Sequence, residues 1–467
     1  MARLLLLPRG DMGTLFGTDG VRALANLELT PDLAMALARA AAMVTAPRKP
    51  HVRFLIGRDT RLSGDLLEAA ALAGVCSAGA DAVLGGVMPT PAVAFLIAAL
   101  GLDGGIMISA SHNPYEYNGL KFLGPGGDKL SDEQEAQIEA IAAQCAPCGA
   151  GQSVGRVVRE NGLLGRYAEQ IARATGPRLQ GLRVIADCGH GALHELAPAV
   201  LRDLGADVVA MNCAPTGTNI NEGGSLKPQG LAEAVRAQSA HAGVAFDGDG
   251  DRALLVDETG ALVDGDQILA IWANDLRARQ QLANNVVVGT VTTNGGLERF
   301  LGSIGCRLAR AAVGDRYVSE EMRRGGATLG GETCGHVIFA PHLMCADGLL
   351  VATAVLSLMA RSGKPLSALA SVMQKRPQVT INVQVTRRAD WQSDIVIREA
   401  VWQAQRALRD GGRLVVRPSG TEPVIRVTAE CDDQHEAQET AQSIAQVVMQ
   451  RMGSPKQSRH VQPARFL

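Results

Sequence analysis

Arg53-Phe54-Leu55-Ile56 reads as a short apolar strand, and after the polar Gly57-Arg58-Asp59-Thr60-Arg61 a helical pattern begins that covers residues 65–78. A strand feeding a helix in this way is the unit from which α/β folds are built. The unit recurs at Leu182-Arg183-Val184-Ile185-Ala186, which is followed by a helical pattern over residues 192–204. About three repetitions along the chain predict three related α/β domains.

The 467 residues are too many for one core, and roughly 100–200 residues per domain gives three or four domains. A formal net charge of −2 with 20% charged residues provides no basic field for nucleic acid or an anionic membrane. Met1-Ala2-Arg3-Leu4-Leu5-Leu6-Leu7-Pro8 is too short an apolar run for a signal peptide or a membrane span, and Met12 is an alternative start. Nine scattered cysteines, an odd number, argue against a disulfide framework and predict a reducing, cytoplasmic setting. Cys145-Ala146-Pro147-Cys148 has no second pair at zinc-site spacing and reads as the polar end of a helix. The chain has neither a G-x-x-x-x-G-K-[ST] phosphate loop nor a G-x-S-x-G elbow.

The chemistry concentrates in four segments. Gly105-Ile106-Met107-Ile108 reads as a buried strand, with Asn113-Pro114 and Asn118-Gly119 as turn formers, so Ser111 and His112 belong in a strand-end loop. A serine hydroxyl is a poor nucleophile unless a base, a cation or a metal activates it, and Lys121 and His112 are the local candidates. The alternative is a turn that is merely polar. In the second segment, Gly243-Val244-Ala245-Phe246 runs into Asp247-Gly248-Asp249-Gly250-Asp251-Arg252 and on into Ala253-Leu254-Leu255-Val256. Three carboxylates this close repel one another, and hard oxygen ligands of this kind suit Mg²⁺ or Ca²⁺. An EF-hand is ruled out because Arg252 stands where its loop needs glycine and the flanks read as strands.

Near the end, Leu414-Val415-Val416 leads into Arg417-Pro418-Ser419-Gly420-Thr421-Glu422-Pro423 and then Val424-Ile425-Arg426-Val427. Small residues that expose backbone N–H groups, two hydroxyls and a guanidinium fork make a phosphate cradle, although the same residues also suit a hairpin turn. The fourth segment, Gly330-Gly331-Glu332-Thr333-Cys334-Gly335-His336, joins hydrogen-bonding side chains to flexible backbone, as a loop for polyols does.

Together the four segments resemble the α-D-phosphohexomutase family. The likeness extends from Phe16-Gly17-Thr18-Asp19-Gly20-Val21-Arg22 through Gly57-Arg58-Asp59-Thr60-Arg61 and Pro89-Thr90-Pro91-Ala92-Val93 to the cradle. Within it, Ile108-Ser109-Ala110-Ser111-His112-Asn113-Pro114, Val263-Asp264-Gly265-Asp266-Gln267-Ile268 and Val313-Gly314-Asp315-Arg316-Tyr317-Val318 are most similar to the bacterial branch that interconverts glucosamine 6-phosphate and glucosamine 1-phosphate. The resemblance implies α/β domains with mixed sheets over residues 1–155, 156–256 and 257–375. It also implies a smaller TBP-like α+β domain over 376–452, with the four domains around a central cleft. The polar tail, residues 453–467, is expected to be flexible.

For the site, the resemblance implies phosphorylation of Ser111, with Mg²⁺ held by Asp247, Asp249 and Asp251 against that phosphate. Lys121 would be the general acid/base, His336 a second polar assistant and Arg252 a support, with His112 and Arg22 orienting the loop. Arg417, Ser419, Gly420 and Thr421, reinforced by Arg426, would grip the second phosphate of a hexose 1,6-bisphosphate intermediate. Glu332 would meet sugar hydroxyls together with residue 334, where the family usually has serine and this chain has Cys334. A thiol donates and accepts weakly, which bears on sugar preference more than on phosphoryl transfer. Phosphomannomutase or phosphoglucomutase activity, a phosphoserine-based phosphatase and a non-catalytic sugar-phosphate sensor are the competing possibilities. The partner is a small sugar phosphate, and monomer and homodimer stay open.

Overall fold

The computed structural model describes residues 15–17, 19–45, 51–144, 154–176, 179–386, 390–408, 411–418 and 423–453. The Cys145–Cys148 motif, Met12, the cradle residues Ser419, Gly420 and Thr421, and the tail from residue 454 lie outside them. The chain forms two compact units, Met1–Ile268 with Thr328–Ala370, and Leu269–Ala327 with Ser371–Leu467.

The first unit opens with a six-stranded sheet in the order β1-β5-β4-β2-β3-β6. Its strands are β1 (Val21–Leu24), β2 (Arg53–Arg58), β3 (Asp81–Val87), β4 (Gly104–Ile108), β5 (Tyr117–Leu123) and β6 (Val157–Arg159). The pairs β2–β3, β2–β4 and β3–β6 are parallel, while β5 is antiparallel to both β4 and β1. Residues 53–58 and the helix Gly64–Ser77 are the strand and helix expected. That helix and the alanine-rich Pro31–Thr45 pack on each other, and Leu37, Leu67, Phe54 and Ile56 are completely buried among them. Each such side chain contributes about 1.5–3 kcal/mol.

A five-stranded sheet follows, in the order β11-β10-β9-β7-β8. It comprises β7 (Arg183–Asp187), β8 (Asp207–Met211), β9 (Ala242–Phe246), β10 (Ala253–Asp257) and β11 (Leu262–Val263). Both sheets are mixed, with the parallel pairings running to one edge and the antiparallel pairings at the other. In the second unit β12 (Val286–Thr290) and β13 (Arg307–Ala311) pair in parallel. The chain then returns to the first unit for the hairpin β14 (Leu329–Gly331) and β15 (Val337–Phe339), and for the helix Gly348–Ser362. The second unit ends in an antiparallel sheet, β16 (Gln378–Gln384), β18 (Val424–Glu430) and β17 (Arg413–Pro418), backed by the helices Ile395–Ala407 and Gln434–Met452.

Two local expectations are corrected. Asn118-Gly119 is no turn but lies inside β5. Asn118 is buried, with its amide donating to Ser63 Oγ at 2.9 Å. A Cβ at position 119 would stand 2.6 Å from the Ser109 carbonyl oxygen and 2.7 Å from that of Val21, so glycine is there for close strand packing. The helix expected over residues 192–204 is the shorter Leu196–Asp203. Residues 192–195 form a turn instead, and Ala192 N bonds to Gly248 O, 2.8 Å away, in the acidic loop.

Candidate active site

β4 and β9 each deliver a polar loop at the C-terminal end of a strand that has a parallel neighbour, which is where open α/β sheets place ligands. Ser111 follows β4 and is completely buried, with its backbone in the left-handed region (φ 49°). Its hydroxyl donates to Asp247 Oδ2 at 2.8 Å, and its N–H donates to Ser109 Oγ, also at 2.8 Å. His112 Nδ1 lies 3.4 Å from Ser111 Oγ. Arg252 first, then burial, then Arg22 pull the His112 imidazole down to about 2, so it is neutral at physiological pH.

The acidic loop after β9 gathers Asp247, Asp249 and Asp251 so closely that one oxygen from each lies within 4.8 Å of the others. Burial, followed by repulsion from Asp251 and Asp249, pushes Asp247 well above the usual carboxylate range. Burial would raise Asp249 too, but Lys121 outweighs it and holds that carboxyl low. Lys121 Nζ lies 2.7 Å from Asp249 Oδ2, 3.2 Å from Asp251 Oδ2 and 2.9 Å from Asp19 Oδ2. Burial disfavours the ammonium, yet these carboxylates raise its pKa well above that of a free lysine. Asp249 Oδ1 and Asp251 Oδ1 are buried and accept no hydrogen bond. Two orphaned carboxylate oxygens in a three-carboxylate cluster fit a hard divalent cation.

The remaining expected residues fall into two groups. In the first unit, Arg252 Nε lies 3.9 Å from Asp247 Oδ2 and 3.8 Å from Asp251 Oδ1, and His336 Nε2 lies 3.8 Å from Asp251 Oδ2. Arg22 reaches Asn113 Oδ1 at 3.4 Å and pairs with Asp19. Glu332 and Cys334 sit in the turn between β14 and β15, with Cys334 Sγ 4.0 Å from Glu332 Oε2. Burial pushes the Cys334 thiol up to about 12, so it stays protonated. Thr333 Oγ1 donates to the buried Asp266 Oδ2 at 2.9 Å, and Gly265 N bonds to Thr333 O at 3.0 Å, which braces the turn. In the second unit, Arg417 and Arg426 are cross-strand partners on β17 and β18, and Arg426 Nε is buried with no hydrogen-bond partner.

Sequence reasoning missed several residues. Asp19 joins Lys121 to Lys129 and Arg22. Thr90 Oγ1 donates to Asp249 Oδ2 at 2.6 Å. Asp59, Arg61 and Ser109 form a buried network under Ser111, and Asn221 bonds to its carbonyl. All but Asn221 lie in segments whose likeness to a family was visible. Asn221 carries no signal of that kind.

Four family models match in order: the alpha/beta/alpha domains I, II and III of phosphoglucomutase/phosphomannomutase over residues 13–146, 165–260 and 264–376, and its C-terminal domain over 381–447. The chain belongs to the phosphoglucomutase/phosphomannomutase family. The family's curated members include a phosphoglucosamine mutase of Symbiobacterium thermophilum, 50% identical over 443 residues, covering 94% of this chain and 99% of that protein. Another, from Geobacillus kaustophilus, is 44% identical over 95% of this chain and 100% of its own length. Among solved family structures, a phosphoglucomutase/phosphomannomutase family protein of Burkholderia thailandensis shares the fold at a TM-score of 0.79 with 23% identity, covering 96% of this chain and 99% of its own. N-acetylphosphoglucosamine mutase of Aspergillus fumigatus, solved with GlcNAc-6P and magnesium, shares it at 0.65 with 18% identity over 94% and 96% of the two chains. As a family member the protein is a phosphoryl-transferring isomerase.

Proposed function

We propose that the protein is a phosphoglucosamine mutase, interconverting glucosamine 6-phosphate and glucosamine 1-phosphate through a phosphorylated Ser111 and a bisphosphorylated sugar. The contact between Ser111 Oγ and Asp247 Oδ2 carries the chemistry, since it sets a hydroxyl against a cluster built for a divalent cation. Similarity to curated phosphoglucosamine mutases over 90–94% of the chain supports the choice of sugar.

In the forward direction the bond from Ser111 Oγ to phosphorus breaks, and a new one forms to the sugar's free O1, which gives up its proton. The bisphosphate then turns, and its other phosphate returns to Ser111. Lys121, kept cationic by Asp19, Asp249 and Asp251, is the acid that supplies a proton to the departing serine oxygen. His336, beside Asp251, is the second group in line to handle the substrate's proton. His112 is neutral and, with Arg22 on Asn113, orients the loop. Mg²⁺ held by Asp247, Asp249, Asp251 and the phosphorylated Ser111 would neutralise charge on the moving phosphoryl group. Glu332 and Cys334 are assigned to the sugar hydroxyls, and Arg417, Ser419, Gly420, Thr421 and Arg426 to the phosphate at rest. Domain boundaries at residues 155, 256 and 375 are part of the same proposal, as is a cytoplasmic location. No described helix is long and apolar enough to cross a membrane.

The test is turnover with Mg²⁺ and a trace of hexose 1,6-bisphosphate on the 6-phosphates of glucosamine, glucose and mannose side by side. Glucosamine 6-phosphate should give the highest kcat/KM. A preference for mannose or glucose would move the protein to a sister activity, and release of inorganic phosphate faster than isomerisation would make it a phosphatase.

A further inference from the structure

Ser111 adopts a left-handed backbone conformation that is strained for a non-glycine residue, and such strain persists only where the surroundings enforce it. The enforcement is visible at its carbonyl. Arg61 Nη2 donates to Ser111 O at 2.8 Å and to Asn113 O at 2.9 Å. From elsewhere in the chain, Asn221 Nδ2 donates to the same two carbonyls at 2.9 and 3.2 Å. Arg61 also reaches the carbonyls of Tyr117 (3.1 Å) and Pro114. The guanidinium is completely buried and anchored through Nε to Asp59 Oδ2 at 3.0 Å. Asp59 in turn accepts from Ser109 Oγ, the atom that receives the Ser111 N–H.

Asn221 is buried and is fixed by its own N–H, which bonds to Gly189 O at 2.7 Å. Its neighbour Ile220 packs on the acidic loop: a Cβ on Gly248 would stand 2.9 Å from Ile220 Cδ1 and 2.7 Å from Ser111 O. One dipeptide thus grips the serine loop with its second residue and backs the acidic loop with its first. Turning Ser111 out of the left-handed region would swing its carbonyl off both donors and strand buried N–H groups, a loss that opposes release of the strain.

Building on the assignment of Ser111 as the phosphorylated residue, we propose that Arg61 and Asn221 are positioning residues for the transfer. They clamp the Ser111 carbonyl from two sides and so fix the direction of Oγ, while Ile220-Asn221 sets the spacing between serine and acidic loop. Neither side chain touches Oγ, and both act through the backbone.

Asn221→Asp tests the clamp, because aspartate matches asparagine in size and tolerates the left-handed backbone of this position (φ 66°) but lacks the N–H donors. Asn221→Gly, which tolerates the same φ and leaves nothing to donate, is the second variant should the first fail to fold. The measurements are kcat and KM for glucosamine 6-phosphate, the rate at which hexose 1,6-bisphosphate phosphorylates Ser111 by intact mass, and the melting temperature. A misaimed nucleophile should lower kcat and the phosphorylation rate together by ~10–100-fold, with KM within about twofold because the sugar contacts are untouched. Wild-type rates in both variants, or losses that only track the unfolded fraction, would overturn the clamp while the mutase assignment stands. A wild-type protein that isomerises no sugar phosphate would overturn the mutase assignment and the clamp with it.

Discussion

Ser111 places its hydroxyl 2.8 Å from Asp247 Oδ2, against the three-carboxylate cluster. Ser111→Ala should therefore leave the fold cooperative and reduce isomerisation by several orders of magnitude, on the order of 10³ or more. Retained turnover, or phosphate found by mass spectrometry on Ser109, would place the nucleophile elsewhere. Cys334 makes a subtler case. Its thiol is held protonated near a pKa of about 12 and lies 4.0 Å from Glu332, where a hydroxyl would be a full-strength donor. Cys334→Ser should raise kcat/KM on the natural sugar by about fivefold, the worth of one hydrogen bond at about 1 kcal/mol. A loss on all three hexose 6-phosphates would show that the thiol has a role of its own. Ser111 with Lys121, and the three aspartates among themselves, were legible as candidates because each set lies within one short segment of chemically telling residue types, although the two segments meet across 136 positions. Arg61 and Asn221 were not, because what they do depends on contacts 50 and 110 positions away.

At the level of elements, local propensity was a good guide except where packing overrode it. Asn118-Gly119 has the composition of a turn, and only the neighbouring strands make it part of β5. The helix Gly348–Ser362 begins against the acidic loop, with Gly348 N donating to Gly250 O at 3.1 Å. Its cap, Asp347, accepts from Leu350 N and from Tyr167 Oη, each at 2.9 Å. Burial raises the Asp347 carboxyl to about 6. The folded state therefore favours the protonated form. No penalty exists below the unfolded pKa of about 4, and it builds as pH rises toward 6, reaching on the order of 3 kcal/mol. Asp347→Asn keeps the cap but cannot ionise. Urea unfolding should show the variant gaining on the wild type between pH 4 and pH 7, and a pH-independent difference would refute the assignment. In the C-terminal sheet, Arg417 and Arg426 are register partners across β17 and β18. Arg417→Lys should raise KM for the sugar phosphate by roughly tenfold without altering the melt, since lysine lacks the two-pronged fork. An unchanged KM would remove Arg417 from the cradle.

Across the whole molecule, the α/β domains were legible because their strand–helix units repeat, whereas the pairing of distant chain segments was not. Each compact unit is built from two stretches of chain, and the first is completed only by Thr328–Ala370. The helix Gly348–Ser362 packs on β9, β10 and the helix Leu163–Thr175. A fragment ending at Ile268 should consequently leave the amides of β9 and β10 unprotected in hydrogen exchange while β2 and β4 stay protected. Full protection of all four would show that the returning segment is dispensable. The same connectivity sets a timetable during synthesis. The acidic loop leaves the ribosome about 100 residues before the helix that braces it, a wait of roughly 5–20 s at ordinary translation rates. Through that interval the contact of the acidic loop with the helix Gly348–Ser362, including the bond from Gly348 N to Gly250 O, is still unmade, so β9 and β10 wait for a later stretch of chain to cover them.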